Sequence, residues 1–253
     1  MKRTAVHLVL AAAAWAVAAS AQMSGFDASL VKKYTPLNPY PRLDDGRPAV
    51  PDLWLYRLQI ASTSDAWNVL AERGYHYQFE DGWKNTRPER KLIGRAFTAR
   101  FLPARSDVDE VIGHEAQAAG LDAHPTKRII DMLRPGDVLV VDVMGRIEFG
   151  QFGGDNLIYG LFMKTGNGFV VDGSFRDLDG VAIHNMPVYA RGHHPGVRGG
   201  AMLTALNVPV RIGGATVMPG DVVLGDRTGI IFVPPHLVEA VVGHAEKGRW
   251  PTE

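Results

Sequence analysis

Between Pro135 and Gly173 the chain reads as strand, helix and strand, and this run restricts its possible folds more than any other. After the turn Pro135-Gly136-Asp137 comes the unbroken apolar run "VLVVDV"; "RIEFGQF" reads as a second short strand; "DNLIYGLFMKTGN" has helical length and a Gly-Asn stop; and "GFVVDG" is another strand of the fully buried kind. Buried strands joined through a helix of this size make a parallel crossover, which is nearly always right-handed. The expected class is therefore α/β, with a central parallel crossover unit.

That topology gives meaning to the polar residues at its ends. Asp155 lies in the loop leaving one strand, and Arg176-Asp177 in the loop leaving the next parallel strand. Both then sit at the carboxyl edge of the sheet, where open α/β folds place ligands. Asp155 and Asn156 stand where the helix begins and are favoured capping types. The first amides of that helix, those of Asn156 and Leu157, lack partners within it and point outward with the positive end of its dipole, ready for a carboxylate. Gly153 and Gly154 would let a ligand approach the backbone closely. Arg176 offers a planar fork of donors for a carboxylate or enolate oxygen. Asp177 is a hard oxygen ligand of the kind Mg²⁺ or Mn²⁺ takes when water and substrate fill its other positions. A 2-oxo acid chelating such an ion would have its carbonyl polarised. The same residues also fit a plainer arrangement, with Asp155 a simple cap and Arg176-Asp177 a surface ion pair, and the spacing leaves both open.

The rest of the chain supports one domain. Ser64 to Arg73 reads as a helix capped by Ser64 or Asp65 and ended by Gly74, and "LIGRAFTARFL" alternates as a strand. Asp107 to Ala119 reads as an amphipathic helix. "MPVYARG", "VPVRIGG", "ATVMPGD" and "GIIFVPP" are short strands flanking the crossover unit, and His236 to Glu246 closes the chain as a helix. Before the domain (residues 55–253), residues 22–54 are rich in proline and polar types and suit an extended arm. Residues 1–21 read as a secretory signal: Lys2 and Arg3, an apolar run from Ala5 to Ala19, and the small-x-small site Ala19-Ser20-Ala21. This predicts an exported, periplasmic protein with no membrane span after cleavage, and with no cysteine its core holds without disulfides.

The full chain has 27 basic and 27 acidic residues, a poor electrostatic match for nucleic acid. Lys164, near a helix end, reads as a surface residue rather than a Schiff-base lysine. His184, His193 and His194 match no usual zinc spacing, and no G-x-S-x-G elbow or cysteine nucleophile is present.

"GGDNLIYGLFMKTGNGFVVDGSFRDLDG" resembles the G-x-[DN]-x20-R-D signature of the RraA-like family, with Gly153, Asp155, Arg176 and Asp177 in the signature positions. The family includes the class II 4-hydroxy-4-methyl-2-oxoglutarate/4-carboxy-4-hydroxy-2-oxoadipate aldolases and the protein named for regulating ribonuclease E activity. The likeness continues through "STSDAWNVLAERG", "LIGRAFTARFLP", "PGDVLVVD", "MPVYARGHHP" and "VPVRIGGATVMPGDVVLGDRTGIIFVP", covering about residues 55 to 245. It implies a swivelling β/β/α fold in a homotrimer or a pair of trimers. It implies that Asp177 holds a divalent metal, partly through waters, that Arg176 binds the keto and carboxylate oxygens, and that Asp155 orients Arg176 and a catalytic water. The implied reaction is retro-aldol cleavage or decarboxylation of a 2-oxo acid through a metal-stabilised pyruvate enolate. Aldolase members also take an acidic residue from a neighbouring subunit near the C-terminus, for which Glu246 and Glu253 are the candidates here. Two other readings stay open: a non-catalytic interaction protein, which an exported chain fits badly, and an exported oxo-acid binding protein.

Overall fold

The structure is a computed structural model, and it describes residues 28–122, 124–196 and 199–249. The signal segment, the first residues of the arm and Glu253 lie outside the described residues.

A nine-stranded mixed sheet forms the centre. Its middle is the parallel set β3 (Leu92–Pro103), β4 (Asp137–Asp142), β5 (Phe169–Phe175) and β6 (Val188–His193). β10 (Val222–Gly225) and β11 (Ile230–Val233) extend it antiparallel beyond β3, with the two-residue β1 (Phe79–Glu80) outermost; β2 (Lys84–Asn85) edges β6. β7 (Ala201–Leu206) pairs with the far half of β3. A separate hairpin joins β8 (Val210–Ile212) to β9 (Ala215–Val217).

Alternation along the strands sorts the core into layers. Leu139 and Val141 of β4 face a cluster under the helices α5 (Pro125–Met132), α6 (Asp155–Thr165) and α7 (Leu178–Ile183). Val138 and Val140 face the other way, onto Val210, Ile212, Ala215 and Val217 of the small hairpin. The helices α2 (Asp52–Arg57), α3 (Thr63–Ala71) and α8 (Val238–Arg249) cover β10 and β11. Hairpin, sheet and helices make β/β/α layers, as the sequence led one to expect. The crossover β4–α6–β5 is also present, and α6 stops at Gly166, whose φ of 68° suits a C-terminal glycine.

Several local readings need correction. β3 does not alternate: it is buried on both faces over most of its length, because layers cover both sides of the sheet there. "RIEFGQF" is no strand; it is a looped segment that touches β5 through one bridge, Gln151 to Ser174. The α3 cap is Ser62, not Ser64 or Asp65. Ser62 Oγ accepts the Asp65 amide at 3.1 Å and Asp65 Oδ2 accepts the Ser62 amide at 2.8 Å, a reciprocal capping box. The helix α4 (Ser106–Ala118) starts one residue earlier than expected. α5 and β7 were not anticipated.

The arm is packed rather than extended. It holds a short helix, α1 (Ala28–Tyr34), and buries Val31 and Val50. Its Arg47 is fully buried, donating to both oxygens of Asp137 at 2.9 and 3.0 Å, to Asp45 Oδ2 at 2.8 Å, and lying over the Phe97 ring.

Candidate active site

The cleft is built where α6 and α7 begin. Gly150 to Gly153 runs beside the end of β5: the Gly150 oxygen accepts the Ser174 amide at 3.0 Å, the Phe152 amide donates to Ser174 O at 2.8 Å, and the Arg176 amide donates to Gly153 O at 3.1 Å. These bonds bring the signature's two halves together, although twenty residues separate Asp155 from Arg176.

Gly154 then sets the spacing. A Cβ added there would stand 2.1 Å from Asp177 Oδ2 and 3.0 Å from Arg176 Nε, so only glycine lets these groups lie against the start of α6. Gly153 serves Leu157, whose Cδ2 would meet its added Cβ at 2.1 Å. The two glycines thus admit the chain's own side chains, and both also line the cleft. Asp177 is the N-cap of α7 with φ 61° and ψ 48°, a left-handed conformation rare outside glycine that costs of order 1 kcal/mol or more and tends to occur at functional sites. The α7 residue Gly180 leaves room for Asp155, whose Oδ2 would meet a Cβ there at 2.5 Å.

The polar geometry bears on both readings of the signature residues. Asp155 is the first helical residue and Gly154 the cap, and Asp155 Oδ1 accepts the Asn156 amide at 2.7 Å. One of the two expected anion-binding amides is therefore already satisfied by the chain. The carboxylate against Arg176 is that of Asp177: Arg176 Nε lies 3.2 Å from Asp177 Oδ2, an ion pair out of line for a hydrogen bond, which leaves Nε buried without an acceptor.

Gln151, Phe152, Gly153, Gly154, Asp155, Asn156, Leu157, Arg176 and Asp177 line a cleft of about 560 Å³. Its opposite wall, His124, Thr126, Lys127 and Ile130, comes from the start of α5 and was missed in the sequence. Pro125 at the first turn of that helix, with Lys127 and Asp131 one turn apart at 2.8 Å, was the available signal. Of the side candidates, Lys164 is exposed at the end of α6. The His184 ring stacks on Tyr159 at 4.7 Å. His193 meets the Phe175 ring edge-on, and burial, then nearby Lys84, holds its pKa below the ordinary value. His194 Nδ1 accepts the Gly196 amide. Glu246 is bound to Arg57 of its own chain, at 2.6 and 2.7 Å.

Fold and cleft define a class: a layered α/β protein with an arginine and two aspartates gathered at the carboxyl ends of parallel strands. The RraA-like family model, described as Aldolase/RraA, matches residues 60–232, and the chain belongs to that family. A Halalkalibacterium halodurans protein named "Putative 4-hydroxy-4-methyl-2-oxoglutarate aldolase" is 32% identical over 145 residues, 55% of this chain and 67% of that protein. An Ectopseudomonas mendocina protein of the same name is 36% identical over 111 residues, 44% of this chain and 68% of that one. Among solved structures, Streptomyces coelicolor RraAS2, described as an unusual member of the RNase ES inhibitor RraA family, aligns with TM-score 0.66 and 29% identity over 83% of this chain and 96% of its own.

Proposed function

We propose that this protein is a divalent-metal-dependent lyase that cleaves or decarboxylates a 2-oxo acid in the α6–α7 cleft. The observation that carries this reading is the Gly154 contact, which sets an arginine and a carboxylate against the first turn of a helix in one cleft. The names of the aldolase relatives support it.

Asp177 would hold the ion. Its side chain is 43% exposed, and one carboxylate with room for water and substrate suits Mg²⁺ or Mn²⁺. Once bound, the ion supplies Lewis-acid polarisation of the keto group. The substrate carboxylate docks at the first turn of α6, at the Leu157 amide, since Asp155 occupies that of Asn156. Arg176 binds the keto oxygen and stabilises the negative charge that gathers there as the carbon–carbon bond breaks. In retro-aldol cleavage the 4-hydroxyl gives its proton to a water in the cleft, the C3–C4 bond breaks, C4 becomes a carbonyl and the electron pair passes to C3; in decarboxylation the bond from C3 to the departing carboxylate breaks, CO₂ leaves and the same pair stays on C3. Asp155 orients the water that protonates C3 to give pyruvate. The exposed apolar residues Tyr159, Met163 and Ile183 beside this cleft support association of copies, for which the family resemblance implies a homotrimer or hexamer.

The test is pyruvate release from oxaloacetate and from 4-hydroxy-4-methyl-2-oxoglutarate, with Mg²⁺ or Mn²⁺ against chelator, together with Mn²⁺ binding. Arg176→Ala and Asp177→Ala should each lose at least about 10²-fold in turnover, the scale of removing a stabilising donor or ligand, and Asp177→Ala alone should lose Mn²⁺ affinity. Likeness to RraAS2 favours a second reading, a non-catalytic regulatory protein. Folded, metal-loaded wild type that releases no pyruvate from either substrate would reject those two substrates and turn the search to other 2-oxo acids, then to an exported oxo-acid binding protein.

A further inference from the structure

One turn is built twice in this chain. In Arg134-Pro135-Gly136-Asp137 the aspartate amide donates to Arg134 O at 3.1 Å, and its Oδ2 accepts the Arg134 amide at 3.0 Å. In Met218-Pro219-Gly220-Asp221 the Asp221 amide donates to Met218 O at 3.1 Å, and Asp221 Oδ2 accepts the Met218 amide at 2.8 Å. Both glycines take positive φ, 80° and 86°. The turns differ in what meets the rest of each carboxylate. Asp137 is closed off by the bidentate guanidinium of Arg47. Asp221 is only 3% exposed, yet no ion pair reaches it among the described residues.

Asp221 instead forms part of the wall of a cavity of about 190 Å³, roofed by Tyr34 to Asn38 of the arm and sharing no lining residue with the α6–α7 cleft. The lining includes no lysine or arginine. We propose that this cavity binds a small alkylguanidinium or alkylammonium ion, with Asp221 as its counter-charge, so that the ligand does for Asp221 what Arg47 does for Asp137. The volume corresponds to roughly six waters at about 30 Å³ each, the size of a short alkylguanidinium. Tyr34 and Tyr75 are the aromatic residues of the lining, and Gln78 and Thr216 bring side-chain oxygens to it, while the Asn38 oxygen already accepts the Tyr40 amide.

The lining itself carries no fixed positive charge, although Arg42, bonded to Thr35, and Arg73, beside His236, stand behind it. Burial, with the Met218 amide opposing it, pushes the Asp221 carboxyl up to about 7, so near neutral pH it is divided between its two forms. The other titratable groups on the wall are Tyr34, Tyr75 and His236. The His236 ring is held below its ordinary pKa by burial and then by Arg73, and its Nε2 stands 3.3 Å from the Tyr75 hydroxyl. No fixed positive charge on the wall competes with the ligand, and binding would release part of a proton from Asp221.

The experiment is calorimetric titration of the full chain with n-propylguanidinium, n-butylammonium and the neutral isostere n-propylurea, at pH 7 in two buffers of different ionisation enthalpy. Propylguanidinium should bind saturably with fractional proton release, propylurea at least tenfold more weakly, and Asp221→Asn should weaken the cation tenfold or more. Thr216→Trp, which fills an exposed edge of the cavity and leaves Asp221 in place, should also abolish binding, and it decides the matter if Asp221→Asn does not fold. Equal affinity for propylurea, undiminished binding to both variants, or no saturable binding of either cation would overturn the proposal. Dissociation of an oligomer by the probe would overturn it too, by assigning the cation to an arginine of a second copy.

Discussion

A single added methyl group tests the site more cleanly than removal of a charge. Gly154→Ala leaves Arg176 and Asp177 in the sequence but puts a carbon 2.1 Å from Asp177 Oδ2, so the carboxylate must move. Turnover should fall by about 10²-fold or more, the usual result of displacing a catalytic group by an ångström, while the melting temperature shifts by only a few degrees; steady-state pyruvate release beside a thermal melt checks both. Asp221 gives a residue-scale prediction about pH. Its folded pKa of about 7 lies above the ordinary value near 3.9, so the folded state binds more protons than the unfolded state between those values. The stability this contributes is full below pH 4 and is lost as pH rises through 7, a change of roughly 4 kcal/mol. Asp221→Asn removes the titration, so its urea midpoint should gain on wild type between pH 5 and pH 8; parallel curves for the two proteins would contradict the buried carboxyl. Asp155, Arg176 and Asp177 were legible as candidates because they stand in chain order at the two ends of one crossover unit and fall in the signature positions of the family the chain resembles. His124, Thr126 and Lys127 were not, because only the packing of α5 beside α6 brings them to the cleft.

At the scale of elements, the arm is the part that sequence patterning described least well. Proline and polar residues favour extended backbone locally, yet the fully buried Arg47 guanidinium, together with the buried Val31 and Val50, binds this segment to the core. Burial acts to lower the pKa of Arg47, and Asp137 and Asp45 outweigh it, so the group stays charged. Arg47→Ala leaves Asp137 buried and unpaired and should cost about 3–5 kcal/mol in urea unfolding. Arg47→Ala with Asp137→Asn should recover part of that loss, whereas additive losses would mean that the arm is held by its other contacts, such as buried Val31 and Val50 and the Arg95 bond to Val50 O. The crossover β4–α6–β5 was readable because burial on both faces, a glycine stop and a glycine-rich return each leave a local mark. β3 misled because the identities "LIGRAFTARF" alternate in polarity while small and threonine side chains fill the polar phase: Ala96 and Thr98 are fully buried. The segment "RIEFGQF", residues 146–152, misled for the opposite reason, since its strand-like residues pair with β5 at one bridge only.

The whole molecule couples its cleft to its surface through two short helices. Asp155 opens α6 and Asp177 caps α7, and the same helices expose Tyr159 at 45%, Met163 at 65% and Ile183 at 81%. Scattered exposed apolar residues are ordinary, but three on adjoining helices beside a cleft form the kind of patch that marks an interface. If copies meet there, association orders α6 and α7 and with them the spacing of Asp155, Arg176 and Asp177. Stability would then rise with protein concentration, because anything that binds only the folded form stabilises it. Light scattering at micromolar concentration should give three copies or six for the wild type. The double variant Met163→Glu with Ile183→Glu should give one copy with an unchanged far-ultraviolet spectrum and pyruvate release lowered at least tenfold. A wild type that stays monomeric at tens of micromolar while turning over substrate would remove the need for a partner and leave the cleft complete within one chain.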